Sequence, residues 1–277
     1  MRARSRPLTW AAAVAASSIA LAGAQSRDLI IATTTSLNDT GLLDSLGPLF
    51  ELQTGYRLRV VAVGSGQALR LGERGDADVV LAHAPAAEEA FMQAGHGSRR
   101  LVVAYNHFTI AGPAEDPARA REARDAAEAL RRIASSGQRF ASRGDSSGTH
   151  QRELLLWREA GGRPRWPGYI ETGQGMAATL LVADERRAYV LTDRGTLGSL
   201  RRRVDLAPLR PAERSLINVY HVIEVSTAGR PRVNAAGARA FSDFITSDSV
   251  QHWLARFGAS RYGEPLFVPA RGREPLP

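Results

Sequence analysis

Cysteine is missing from this 277-residue chain. That excludes a disulfide framework and a lipid-modified cysteine behind a leader segment. Lysine is missing too, so all 36 basic side chains are arginine, which reads first as the composition of a GC-rich coding sequence. The six histidines are scattered, with no H-E-x-x-H and no i,i+4 pair, so no protein-bound metal cation is expected. No G-x-S-x-G elbow occurs, since Gly64-Ser65-Gly66 is too short for one, and Gly64-x-Gly66 lacks the third glycine of a dinucleotide fingerprint. No cofactor is expected. No nucleic-acid module is recognisable, so the net charge of +8 does not argue for RNA or DNA.

Long apolar runs are also scarce. Leu8 to Leu21 is too short to span a bilayer; it follows Arg2, Arg4 and Arg6 and precedes Ala22-Gly23-Ala24, an A-x-A cleavage pattern. Residues 1–24 therefore read as a secretory signal peptide, with a mature chain from Gln25 in the periplasm. Removing its three arginines leaves 8 − 3 = +5, a mild attraction for anions.

What remains alternates between apolar strands and amphipathic helices, the signature of an α/β fold. Leu29 to Ala32 reads as a buried strand running into Thr33-Thr34-Thr35-Ser36. A helix is expected over about 40–54, with Leu42, Leu43, Leu46, Leu49 and Phe50 on one face and Gly55 as its stop. Arg57 to Val63 is a second strand, entering Gly64-Ser65-Gly66-Gln67 and another helix. Asp78 to Leu81 is a third, ending at His83-Ala84-Pro85. Leu101 to Ala111 holds two apolar bursts, Arg119 to Ala134 reads as a charged helix, and Leu216 to Val225 as a long apolar strand. The tail after Phe267 is rich in Pro, Arg and Gly and reads as loose. Two lobes crossed twice is the most economical layout: 25–111 plus 218–277, and 112–217.

The most informative stretch is Ala141-Ser-Arg-Gly-Asp-Ser-Ser-Gly-Thr-His150. Asp145, Ser146, Ser147 and Thr149 are all suited to capping the helix that follows, and a helix start is a natural seat for an anion. Arg143 stands just ahead of it with a permanent charge and a forked donor set. Strand, hydroxyl- or glycine-rich turn, helix start thus occurs three times, each turn at the carboxyl end of a strand, where open α/β sheets bind ligands. One such turn is often only a cap; three that converge make a site. Gly144-Asp145-Ser146-Ser147-Gly148 superficially resembles the nucleophile loop of trypsin-like proteases, but the two β-barrels and upstream His and Asp of that chemistry are missing. An enzyme acting on a phosphorylated or sulfated small molecule would need a base beside the anion, and His150 is the adjacent candidate.

The ordered set Thr33–Ser36, Val63–Leu69, Ser142–His150, Gly173-Gln174-Gly175-Met176 and Tyr189–Thr196 resembles the Tup-type tungstate-binding proteins, the periplasmic component of a tungstate ABC importer. The resemblance covers nearly the whole mature chain. It implies a two-lobed periplasmic-binding-protein fold of type II-like form, not an enzyme, closing as a monomer on one oxyanion, tungstate or molybdate. It also implies a membrane permease and an ATPase as partners. Carried onto this sequence, it implies ligand contacts from Thr34, Thr35 and Ser36, from Ser65 and Gly66, and from Arg143, Ser147, Gly148 and Thr149. More distant phosphate-binding relatives use a buried Asp to accept the proton phosphate carries; the matching place here holds His83. A fully deprotonated tungstate or molybdate offers acceptors only, so its site should present donors, with Asp145 turned to Arg143 or to its helix. A phosphate- or sulfate-binding protein of the same fold is the alternative.

Overall fold

The computed structural model describes residues 28–270; the expected signal peptide and the last seven residues of the tail lie outside the described residues. β1 (Asp28–Thr34), a short α1 (Thr35–Asp39), α2 (Leu42–Thr54), β2 (Arg57–Val63), α3 (Ser65–Arg74), β3 (Val79–Ala82) and α4 (Pro85–Gln93) alternate along the first third. The helix expected over about 40–54 is α2, which starts at Leu42, and a separate short helix, α1, precedes it. Thr40 donates its hydroxyl to Leu37 O (2.6 Å), ending α1, and Gly41 turns the chain at φ +74° before α2 begins. Leu42, Leu43, Leu46 and Phe50 point inward as the spacing predicts, but Leu49 lies 45% exposed, outside that stripe. Gly55 ends α2 at φ +75°, a conformation glycine adopts without steric cost.

β4 (Gly97–Pro113) is a single long strand where the sequence showed two bursts. The charged helix expected over 119–134 splits, because Arg119 sits at φ +55° and Ala123 is extended. One 3-10 turn precedes α5 (Ala126–Ser135), which is capped by Asp125 accepting from Glu128 N (2.7 Å). Then come β5 (Phe140–Ser142), α6 (Gly148–Glu159), β6 (Tyr169–Glu171), α7 (Met176–Glu185), β7 (Tyr189–Asp193), α8 (Arg194–Leu200) and β8 (Leu206–Pro208). β9 (Ile217–Val225), α9 (Ala235–Ile245), α10 (Asp248–Leu254), α11 (Ala259–Tyr262) and β10 (Val268–Pro269) complete the described chain.

The strand order is β2-β1-β3-β9-β4-β7-β5-β6, with β8 and β10 also on β4. β1, β2 and β3 are parallel, as are β5, β6 and β7; β9 runs against β3, and β4 runs against both β9 and β7. β4 changes partner midway: Gly97 to His107 pair with β9, and Phe108 to Ala111 pair with β7. One sheet and its helices therefore form on each side of that point. On one side Leu29, Ile31, Phe50, Leu81, Val222 and Phe241 share a core; on the other Ile110, Leu130, Ile133, Phe140, Trp157 and Tyr189 do. β3, buried on both faces, is continuously apolar as a central strand must be. β2 lies at the edge and carries Arg57 and Arg59, charges that discourage pairing with another chain. Among the described residues no helix is long and apolar enough to cross a membrane.

Candidate functional site

Parallel strands followed by helices send their carboxyl ends to one edge, and here the edges of the two sheets face each other. β1 runs into α1, where Thr34 caps the helix and its Oγ1 accepts from Leu37 N (3.3 Å). β2 runs into α3 through Gly64. From the other side β5 leads through Arg143 to α6, capped by Ser147, whose Oγ accepts from His150 N (3.3 Å). Gly175 opens α7, and a Cβ placed there would lie 3.4 Å from Thr35 Oγ1. Several helix N-termini thus converge, each with N–H groups lacking an intrahelical partner.

The turn before α6 is tightly wound. Gly144 and Ser146 both have positive φ, +63° and +58°; for serine this costs on the order of 1 kcal/mol, strain of the kind concentrated at functional sites. Asp145 holds the turn: its Oδ1 accepts from Ser147 N (3.1 Å) and its Oδ2 from Arg143 Nη2 (2.5 Å). This is the orientation expected of Asp145, although it also borders the hollow between the sheets. Ser146 N donates to His150 Nδ1 (3.0 Å), and burial lowers the pKa of that ring. The nitrogen facing the turn is therefore an occupied acceptor, so His150 is engaged in holding the turn.

Of the nine residues assigned to the anion from the sequence, Thr35, Gly66 and Arg143 line the hollow between the sheets, while Thr34, Ser36, Ser65, Ser147, Gly148 and Thr149 are buried. Arg143, 2% exposed, also gives a long bond from Nη2 to Thr35 Oγ1 (3.4 Å), reaching from one side to the other. Its Nε and Nη1 are buried without a hydrogen-bond partner, and so is Thr149 Oγ1. Gly148 N donates to Ser65 Oγ (3.2 Å), joining the second turn to the third. Gly66 lies in the first turn of α3, close to Ser146 O, and with Thr35, Gln67, Arg70, Arg143 and Gly175 it lines a hollow of about 260 Å³. Thr34 and Ser36 are buried against each other, Oγ to Oγ 3.3 Å.

The hydroxyls divide by what they accept. Thr34, Ser65 and Ser147 each take a backbone N–H on the oxygen, which leaves the hydroxyl proton to donate elsewhere. Unpaired guanidinium N–H groups held out of water are costly, more so than neutral donors. Such a cluster can do one thing well: donate several hydrogen bonds to a small, multiply charged acceptor.

Sequence reasoning left three participants outside the set. His83 is buried at the same junction, with Nε2 3.1 Å from Ser36 Oγ. Asp193 caps α8, accepting from Thr196 N (2.8 Å) and Oγ1 (2.7 Å), and Thr196 reaches Ser36 O at 3.5 Å. Gly175 was visible as a helix start but carries no side chain to mark it. Among the described residues no group of His, Cys, Asp or Glu could hold a metal ion.

Residues 20–249 match the PBP superfamily domain. The chain is 44% identical to the tungstate-binding protein TupA of Peptoclostridium acidaminophilum over 87% of this chain and 85% of that one. It resembles the crystal structure of the tungstate ABC transporter from Geobacter sulfurreducens, with 45% identity, a TM-score of 0.75 and coverage of 80% and 95%. It also resembles the tungstate-binding protein TupA from Desulfovibrio alaskensis G20, with 42% identity, a TM-score of 0.73 and coverage of 87% and 98%.

Proposed function

We propose, from the premise that this chain belongs to the PBP superfamily and within it to the family of the tungstate-binding proteins, that it captures a tetrahedral oxyanion dianion between its two lobes and delivers it to an ABC permease. Tungstate is the first candidate and molybdate the second. The observation that carries this reading is the buried guanidinium of Arg143 with unpaired Nε and Nη1, beside the unpaired Thr149 hydroxyl. Thr34, Thr35, Ser65 and the backbone of Gly66 would donate from one lobe. Arg143, Ser147, Gly148 and Thr149 would donate from the other.

The lobes, about 25–111 plus 218–277 and 112–217, would turn about the point where β4 changes partner. The anion first meets one lobe, and the second then supplies its donors and excludes water, which strengthens each bond. No covalent step is involved. The reading places the protein in the periplasm, as a monomer, with a permease and its ATPase as partners.

The test is thermal shift and Trp fluorescence with tungstate, molybdate, sulfate and phosphate in parallel. A large response to tungstate, with or without molybdate, is expected. A response to phosphate or sulfate alone would move the assignment to the alternative ligand, and no response to any of the four would overturn it.

A further inference from the structure

We infer that His83 is a positioning residue that accepts the hydroxyl hydrogen bond of Ser36, withdrawing Ser36 from the set of anion donors and tying the first anion turn to β9 and to β4, the strand shared by the two sheets. This rests on the oxyanion reading for what the turn holds.

The evidence is a buried chain of hydrogen bonds whose direction is set from its far end. Asn106 Nδ2 faces Leu266 O at 3.4 Å, and a carbonyl can only accept. Asn106 therefore turns its Oδ1 to Asn218, which donates from Nδ2 at 2.9 Å. The same Nδ2 donates to Tyr220 OH (2.8 Å). Asn218 is left with Oδ1 towards His83 Nδ1 at 2.9 Å, so that nitrogen must carry a proton. A neutral imidazole protonated at Nδ1 has a bare lone pair at Nε2, and the group facing it is Ser36 Oγ at 3.1 Å. Ser36 can satisfy that lone pair only by donating its single proton.

Ser36, His83, Asn106 and Asn218 are each 5% exposed or less, so water does not compete within the chain. The ring is neutral for a physical reason: burial and Arg143 disfavour its charge and outweigh the opposing influence of Asp193 and Glu88.

This separates Ser36 from its neighbours. Thr34, Ser65 and Ser147 accept from backbone N–H groups and keep a proton to give, whereas Ser36 spends its proton on His83. What Ser36 turns towards the junction is a lone pair, to which a fully deprotonated tetrahedral dianion has nothing to donate. Ser36 serves instead as the anchor of α1, and at 3.3 Å from Ser36 Oγ the Thr34 hydroxyl keeps its proton for the anion. Through His83 and Asn218 it links the turn to β9, and through Asn106 to β4, the strand that pairs in both sheets.

Two measurements test this. Long-range 1H–15N correlation on 15N-histidine-labelled wild type, with the His83 signals assigned by their loss in His83→Gln, should show the Nδ1–H tautomer with Nε2 bare from pH 5.5 to 8. An Nε2–H tautomer or a charged ring would overturn the inference. Calorimetry with tungstate then compares Ser36→Ala alone and in the His83→Ala background. Ser36→Ala should weaken binding several-fold in wild type and more than twofold less steeply once His83 is replaced. An equal loss in both backgrounds would mean that Ser36 donates to the anion directly. His83→Gln, whose amide oxygen can accept from Ser36, should bind more tightly than His83→Ala. If wild type fails to take up tungstate, the oxyanion reading falls, and the ring spectrum alone still decides whether His83 accepts from Ser36.

Discussion

Arg143 concentrates the energetics of the junction in one side chain. It is buried, its Nη2 is satisfied by Asp145 and Thr35, and its Nε and Nη1 are unpaired. Removing a buried, hydrogen-bonded charge partner costs about 2–5 kcal/mol, so Arg143→Ala should weaken tungstate binding by that amount in calorimetry. An unchanged affinity would refute the assignment. Ser65→Ala removes one neutral donor and should cost about 1 kcal/mol. Glu153 illustrates a different residue-scale effect. Its carboxyl is buried under α6 and accepts from Tyr169 OH (2.6 Å) and Trp157 Nε1 (3.2 Å). Burial pushes its pKa up to about 7, from 4.5. Between those two values the folded protein keeps a proton that the unfolded chain releases. Stability is therefore highest at the acid end of the window and falls as pH rises through it, by roughly 3 kcal/mol in the limit. Urea unfolding at pH 5 and pH 7.5 should show this loss in wild type, and Glu153→Gln should remove most of it.

At the scale of elements, helix α6 decides how closely the lobes meet. A methyl group at Gly148 would lie 2.7 Å from His83 O and 3.0 Å from His83 Nδ1. The obstacle is partly backbone and cannot rotate away. Gly148→Ala should still form α6, since alanine favours helix, but should hold the two turns apart. Overpacking of this kind costs about 1–3 kcal/mol, and tungstate affinity should drop about tenfold with little change in melting temperature. The contact also shows where sequence reading reaches its limit. The turns at Thr34, Gly64 and Ser147 were legible because capping is local: a hydroxyl or a glycine acts on an N–H two or three residues away. His83 bonds to Ser36 and Asn218, 47 and 135 residues distant, and no local pattern announces such pairs. The short α1 was hidden because its five residues, Thr35–Asp39, are too few to show a helical period. β6 and β8, three residues each, are too short to show a period.

For the whole molecule, the α/β class was readable from the alternation of strands and helices, whereas the sharing of one strand, β4, between two sheets was not, since the sequence pointed to two separate crossings. The closing motion should be visible in small-angle scattering as a smaller radius of gyration with tungstate than without it. Equal radii would argue that the lobes are already locked together. The uninterrupted course of β4 through both sheets bears on that motion. A joint made of loose linkers swings freely, whereas one made of a strand bonded along both halves behaves as a stiff leaf spring. Such a spring permits a short arc and returns from it, so the cleft should gape by a small, reproducible angle rather than sample a broad range of openings.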